Sequence, residues 1–479
     1  MESCLERKIS DAELEELKIN AIDWALAHGI GMRPSVDDSD QDKLVHAPFT
    51  LFPTPVPQYI IQQATQSMAY FNRLMHRVAM DHQFLVESFK SVIQTDDFTR
   101  NLWNIYMKVH DDEKAQKLCL GLFRNDFMLD KVKESNDGRK FEIKQIEFNS
   151  IASSFGGLTA ELIPLHRYVL DLVGQNYTDK QVPDNRPIEG LAGGLVRAWE
   201  LYDNKHAVVL FVVGVNEMNI MDQRFLDYEI YKQNKQIKVI RKTFNDLLKY
   251  GKLNEDRKYI ISEDEVGVVY YRAGYSPTSY NEKIWQVRLE LEQGSCIKCP
   301  PINYQLVGAK KIQQILAEPG VLDRFIKDPV VFDMIKSTFA GQYSLDIGKE
   351  GDKNLKMAVK SPNNYVLKPQ REGGGHNMYD DELVEFLKQH ENSAERAGYI
   401  LMEKIRPQTQ TNYLIKAGTP LVKSKCISEL GIYGCYIGNE KEELYNTVCG
   451  HLLRTKTADT NEGGVCAGFS GIDSPFIIQ

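Results

Sequence analysis

Apolar residues recur at helical spacing behind Ser10-Asp11-Ala12-Glu13, at Leu14, Leu17, Ala21, Ile22 and Ala25. A serine three residues ahead of an acid is the spacing of a capped helix start. A proline-bearing loop over 49–57 leads into a second helical run over about 59–80, so the first third is expected to be mainly helical. The period then changes. Residues 141–148 alternate as a strand, and the small polar residues of 149–157 read as a loop. Strand-like runs over 206–214, 237–244 and 266–272 enclose a helical pattern over 222–233. Strand, helix and strand at these lengths predict a βαβ unit within a parallel sheet. The last third is expected to hold a short apolar strand at Tyr365-Val366-Leu367, a helix over about 381–389 and a strand over 399–405. Segments 354–364 and 408–420 are expected to be loops at the edge of a smaller mobile unit.

The chain has 479 residues, enough for about three domains or for one large multilayer enzyme. Hydrophobic residues at 42% and charged residues at 26% are ordinary for a soluble globular protein. A net charge of −8 argues against a nucleic-acid footprint or a polybasic membrane anchor, while a locally basic site for small acidic substrates stays open. The opening residues lack the basic and apolar regions of a signal peptide, and the apolar run 207–215 is too short to span a bilayer. Eight cysteines in such a length do not form a disulfide scaffold. Cys296 and Cys299 have CxxC spacing, but Pro300-Pro301 follow and no second pair completes a zinc site, so free thiols are the better reading. The sequon Asn176-Tyr177-Thr178 is then unused, and a reducing, cytoplasmic protein is expected.

Candidate chemistry falls in four places. Gly373-Gly374-Gly375, after the strand that ends at Lys368-Pro369, could admit a ligand to the backbone or could be a surface turn. It matches neither a Walker loop nor a GxGxxG turn. Glu147 and Asn149 lie two apart at a strand end and so share a face, and Glu372 sits in the glycine loop. Such hard oxygen ligands suit magnesium held mainly by nucleotide phosphates, although a solvated strand end looks the same. Lys310 with Lys311, Lys368, Lys456 and Arg454 could bind phosphate and carboxylate or serve surface solubility. The small-residue stretch Glu462-Gly463-Gly464-Val465-Cys466-Ala467-Gly468 could close as a lid or be an irregular tail. These readings reach an α/β enzyme with a magnesium–nucleotide site and no defined reaction.

Together the pieces resemble the eukaryotic glutathione synthetase family of ATP-grasp carboxylate–amine ligases. The matching stretches are APFTLFP, KQIEFNSI with SFGGL, NIMDQR, VVYYRAGY, KKIQQ, YVLKPQREGGGHNMY, ILMEKI, CISELGIYG and GHLLRTK with GGV. They run in the family's order through nearly the whole chain.

The resemblance implies an α/β ATP-grasp fold with α+β layers, an inserted parallel-sheet substrate-binding domain and a mobile lid. Residues 1–204 and 311–479 would form the catalytic body with a lid at about 340–425, and residues 205–310 the inserted domain. It further implies two magnesium ions on Glu147, Asn149 and Glu372. ATP would be held by Lys310, Lys368 and Lys456, by Gly373, Gly374 and Gly375 with Asn377 and Tyr379, and by Glu429 and Glu462. Adenine would meet the strand-edge backbone of Met402, Glu403, Lys404 and Ile405. Arg124, Ala152, Ser153, Ser154, Glu217, Asn219, Gln223, Arg272 and Tyr275 would grip a γ-glutamyl dipeptide, with Arg454, Val465 and Cys466 at the glycine end. Arg454, Lys368 and Glu372 would carry the catalysis.

The implied reaction joins γ-glutamylcysteine to glycine through an acyl phosphate made from ATP. The partners implied are small molecules and a second copy in a homodimer, with neither nucleic acid nor membrane. Three positions depart from the family pattern: Ala152 for a usual serine, Ala273 for a usual acid and Cys466 for a usual alanine. A paralogue using γ-glutamylalanine or another terminal amino acid is the close alternative, and an inactive ATP-binding homologue the distant one.

Overall fold

Ser10 caps the first helix, α1 (Asp11–Ala27), its hydroxyl accepting from the Glu13 amide. The computed structural model describes residues 3–34, 42–132, 138–370 and 376–479. Helix α2 (Gln58–Met80) turns Ile60, Ala64, Met68, Phe71 and Met75 to the interior. Two long strands follow, β1 (Cys119–Lys131) and β2 (Phe141–Asn149), then helices α3 (Gly156–Leu172) and α4 (Pro187–Tyr202). The central part contributes β3 (Val208–Val213), α5 (Ile220–Gln233), β4 (Val239–Thr243), β5 (Asp264–Tyr271) and β6 (Ile297–Cys299). After α6 (Lys310–Leu316) come β7 (Gln342–Ser344), α7 (Lys349–Lys360), β8 (Tyr365–Pro369), α8 (Asp380–Gln389) and β9 (Tyr399–Glu403). The chain closes with β10 (Gln410–Ile415), β11 (Lys423–Gly438), β12 (Glu443–Thr457) and β13 (Ser470–Asp473).

A thirteen-stranded mixed sheet is the frame, with β11 at its middle. Strand β11 pairs antiparallel with β1 and β12. Strand β1 also pairs with β2 antiparallel and with β6 in parallel. From β6 the sheet continues in parallel through β5 and β3 to β4, which is the expected βαβ unit. The sheet runs without a break from β12 to β4 through the β6–β1 pairing.

Strand β11 is buried on both faces because its apolar residues fill both parities. Leu430, Ile432 and Tyr436 join the core under α2, and Tyr433, Cys435 and Ile437 join the core under α3 and α4. Helix α4 lies hard on the sheet, since a Cβ on Gly194 would stand 2.4 Å from Cys435 Sγ. A separate three-stranded sheet, β7–β9–β8, packs with α7 and α8 around Leu345, Leu355, Leu367, Leu383 and Leu401.

Several expectations need correction. Residues 354–364 form the end of α7 and a 3-10 turn, and 408–420 contain β10. Leu355 and Ala358 anchor the former and Ladder pairing to β11 orders the latter. Gly156 and Gly157 open α3 rather than closing a loop, because Asp222 of α5 accepts from the amides of Phe155 and Gly157. The strand over 399–405 stops at Glu403. Among the described residues, no helix is long and apolar enough to cross a membrane.

Candidate active site

The sheet face covered by α3 and α4 becomes polar where those helices end. Strand register sets Arg124 opposite Asn149 and Asp126 opposite Glu147, which puts all four on one face. On the other side of β1, Asp126 lies opposite Gly431, and Glu429 lies opposite Arg454 across the β11–β12 pair. The result is a polar floor continuous with an apolar one.

Asp126 is fully buried and organises this floor. It accepts from Arg124 Nε at 2.7 Å, a second Arg124 nitrogen at 2.8 Å, Arg454 at 2.8 Å and Asn149 Nδ2 at 2.9 Å. Arg454 also donates to Glu429 at 2.9 Å. Burial would weaken the charge on Arg124, but Asp126 overrides it and holds that guanidinium firmly protonated.

Above the floor lies a cavity of about 460 Å³. Its wall takes Arg124, Glu147, Asn149, Ala152, Ser153 and Ser154 from β1, β2 and the loop after them. Glu217, Asn219, Arg272 and Tyr275 come from the parallel end of the sheet. Lys310, Lys368, Asn377, Glu429, Arg454 and Glu462 line the remainder, with Val465 and Cys466 on the C-terminal segment. Glu147 sits 3.6 Å from Lys310. Burial pushes its carboxyl upward, yet Lys310, Lys368, Arg454 and Arg124 together bring it down to about 2, so it is ionised. Lys368 donates to the Ile146 carbonyl at 3.1 Å. Burial and then Lys310 lower its ammonium to about 8, against the pull of Glu147, Glu429 and Glu462.

The loop after β2 is fixed by cations. Arg272 donates to the Ala152 carbonyl and, at 2.7 Å, to the Ser154 hydroxyl. The Ser154 carbonyl accepts from Arg124 at 3.3 Å and from Tyr433. Ala152 has φ 54° and Phe155 φ 75°, so two residues without glycine's freedom hold left-handed backbone here.

Some expected residues lie behind the wall. Lys456 and Tyr379 converge on the Asn461 carbonyl at 2.7 Å and 3.4 Å, and burial lowers the Lys456 ammonium. Gln223 stands behind Glu217, donating to it at 2.7 Å. Met402 and Glu403 lie on β9, the middle strand of its sheet. The amides of Glu403 and Lys404 are also taken, by Gly341 and Asn364 carbonyls at 2.8 Å each. Lys404 and Ile405 both lie past the end of β9. Glu372, Gly373, Gly374 and Gly375 lie outside the described residues.

Sequence reasoning missed Asp126 and Asp222. Arg124 and Asp126 are two apart on a strand, and that same-face spacing was the available signal. His376, Asn216 and the Ser276–Thr278 hydroxyls, which also reach the cavity, carried no pattern.

A large mixed sheet, a second small sheet and a cation-lined cavity make up an α/β architecture of the ATP-grasp type. The profile described as "Eukaryotic glutathione synthase, ATP binding domain" matches residues 11–477. Glutathione synthetase of Homo sapiens is 43% identical over 465 residues, covering 97% of both chains. The chloroplastic glutathione synthetase of Arabidopsis thaliana is 38% identical, over 98% of this chain and 87% of that one. Among solved structures, a glutathione synthetase-like effector from Globodera pallida has a TM-score of 0.79 over 98% of each chain. Its identity of 23% makes that a likeness of fold alone. The chain belongs to the eukaryotic glutathione synthase family.

Proposed function

We propose that this protein is an ATP-dependent ligase that joins γ-glutamylcysteine to glycine and releases ADP and phosphate. The observation that carries the reading is the polar floor, where residues from β1, β2, β11 and β12 meet under one cavity in a chain 43% identical to a glutathione synthetase over 97% of its length. A free carboxylate resists attack because oxide would have to leave. Transfer of the γ-phosphoryl group of ATP to it gives an acyl phosphate, and the neutral amine of glycine displaces phosphate from that. Lys310 and Lys368 supply positive charge for the phosphates, and Arg454 for the dipeptide carboxylate and the oxyanion of the tetrahedral intermediate.

Glu147 and Asn149 fit a magnesium ion. The carboxylate is held ionised, and the Asn149 amide nitrogen is used by Asp126, which leaves its oxygen as the ligating atom. Glu372 would join them. Magnesium, when bound, neutralises phosphate charge in such sites. Arg272 beside Glu217 offers opposite charges to an α-amino acid head, so the γ-glutamyl end belongs there. Val465 and Cys466 then face the glycine end.

The three-stranded sheet with its own core is the unit we take as the lid over ATP. Eight free thiols support a reducing, cytoplasmic setting, and a homodimer is part of the same reading. Phosphate release measured with γ-glutamylcysteine or γ-glutamylalanine, each with glycine, alanine or serine, tests it. Glycine-dependent release with the cysteine dipeptide is expected. Release that ignores both amino acids would overturn the reading. Ala152 and Ala273 in the wall favour appreciable activity with γ-glutamylalanine, since loss of one small apolar contact is worth only about 1–3 kcal/mol.

A further inference from the structure

Glu217 faces the cavity, and both its oxygens take hydrogen bonds from uncharged donors: the Gly214 amide at 2.7 Å and Gln223 Nε2 at 2.7 Å. An amide side chain can present either its NH2 or its oxygen to a neighbour, and only the NH2 suits a carboxylate. Arg241 decides which. From β4 it donates a guanidinium N–H to Gln223 Oε1, and this fixes the oxygen away from Glu217. Gln223 is 1% exposed, so no solvent competes for the choice.

Arg241 is itself poorly satisfied. Its other terminal nitrogen, Nη1, is buried with no hydrogen-bond partner. Its guanidinium lies 5.9 Å from the ring centre of Phe211, the residue beside it on β3. Keeping a charged group there costs stability, which a plain packing role would avoid with an apolar residue.

We propose that Arg241 is a positioning residue for substrate recognition: through Gln223 it holds Glu217 as the acceptor for the α-ammonium group of the γ-glutamyl substrate. The inference rests on the ligase reading given above. The donor chain runs from Arg241 to Gln223 to Glu217, with the Gly214 amide as the second anchor of the carboxylate. Glutaryl-cysteine, which lacks the α-ammonium group and keeps the rest of the dipeptide, isolates this contact.

The test compares kcat/KM for γ-glutamylcysteine and glutaryl-cysteine in the wild type, Arg241→Met, Arg241→Lys and Glu217→Gln. In the wild type the ammonium-bearing dipeptide is expected to be preferred by at least about tenfold, as a hydrogen-bonding site rejects an analogue lacking the group. Arg241→Met should cut that preference about fivefold or more, raise the dipeptide KM and leave the ATP KM unchanged. Arg241→Lys, which can still donate to Gln223, should keep most of the preference. Adding Arg241→Met to Glu217→Gln should change the preference no further, since the two act through one contact.

A preference untouched in folded Arg241→Met, or an equal loss for both dipeptides, would overturn the inference. Arg241→Gln takes the same place if the methionine variant does not fold. A wild type with no glycine-dependent turnover of γ-glutamylcysteine contradicts the ligase reading instead, so the two failures are distinct.

Discussion

Asp126 and Arg454 meet at 2.8 Å across the middle strand of the sheet, directly over Gly431. The contact ties β1 to β12 without a side chain between them, and Asp126 pairs with two arginines at once. Asp126→Asn keeps the volume but faces both guanidinium groups with a neutral amide. Breaking a buried ion pair from one side typically costs about 3–5 kcal/mol. The variant is therefore expected to lose stability on that order in urea unfolding, together with most of its turnover. A loss below about 1 kcal/mol would remove Asp126 from its central place.

Gly431→Ala tests the same contact from beneath. A Cβ at 431 would stand 2.5 Å from Asp126 Oδ1 and 2.8 Å from Arg124 Cδ, so the pair must shift. Overpacking of this kind costs about 1–3 kcal/mol. Turnover should fall further than the melting temperature suggests, because the displaced groups are those of the site. Normal kinetics in this variant would show that the floor tolerates movement.

Lys368 gives the site a pH limit. Its ammonium, lowered to about 8 chiefly by burial and by Lys310, is the protonated form only below that pH. Since kcat/KM reports groups of the free enzyme, kcat/KM for ATP should fall as pH rises from about 7.5 to 9.5. Guanidinium groups do not titrate in this range, so the dipeptide KM should change less. Lys368→Arg, charged across this range, should lower activity but flatten the profile. A wild-type profile flat to pH 9.5 would contradict the assignment.

Two groups buried near the β13 end make opposite contributions to acid stability. Burial lowers His166 to about 4, with one ring nitrogen 2.7 Å from the Thr50 carbonyl and the other 2.6 Å from the Ser474 hydroxyl. Its folded value lies below the unfolded value of about 6.5, so its contribution is present above 6.5 and lost as pH falls through 4. Burial raises Asp473 to about 6, although the Thr455 and Thr54 hydroxyls donate to it. That value lies above the unfolded value of about 3.9, so its contribution is present below 3.9 and lost as pH rises through 6.

Between pH 4 and 6 the two slopes oppose each other. Asp473→Asn should therefore steepen the loss of stability on acidification across that window, by roughly 1 kcal/mol per pH unit. Urea midpoints at pH 4.5 and 6.0 read the slope, whatever the variant's absolute stability. An unchanged slope would contradict the pairing of these two groups.

The sequence carried the helices and parallel strands well because their apolar periods are local. Ile60, Ala64 and Phe71 announce α2, and the unbroken Val208–Val213 run announces a strand buried on both faces. It did not announce the long β11–β12 hairpin, where Gly431, Gly434 and Gly438 interrupt the strand pattern and the register bulges twice. Nor did it reveal the polar floor. Asp126 looks like any acid in a strand until β11 brings Gly431 beneath it and β12 brings Arg454 over it. The resemblance supplied the wall residues as a set, while Arg241 and Asp222, which hold others in place, act through contacts between elements that no motif records.

The central claim is that the dipeptide carboxylate is activated by phosphorylation. γ-Glutamylcysteine labelled with ¹⁸O in its cysteinyl carboxylate, turned over with ATP and glycine, tests it directly. Displacement of phosphate from an acyl phosphate carries one carboxylate oxygen into the inorganic phosphate, so one ¹⁸O per tripeptide is expected there. Label in AMP would mean an acyl adenylate, and unlabelled phosphate would mean that ATP hydrolysis is not coupled through the carboxylate; either result would contradict the account.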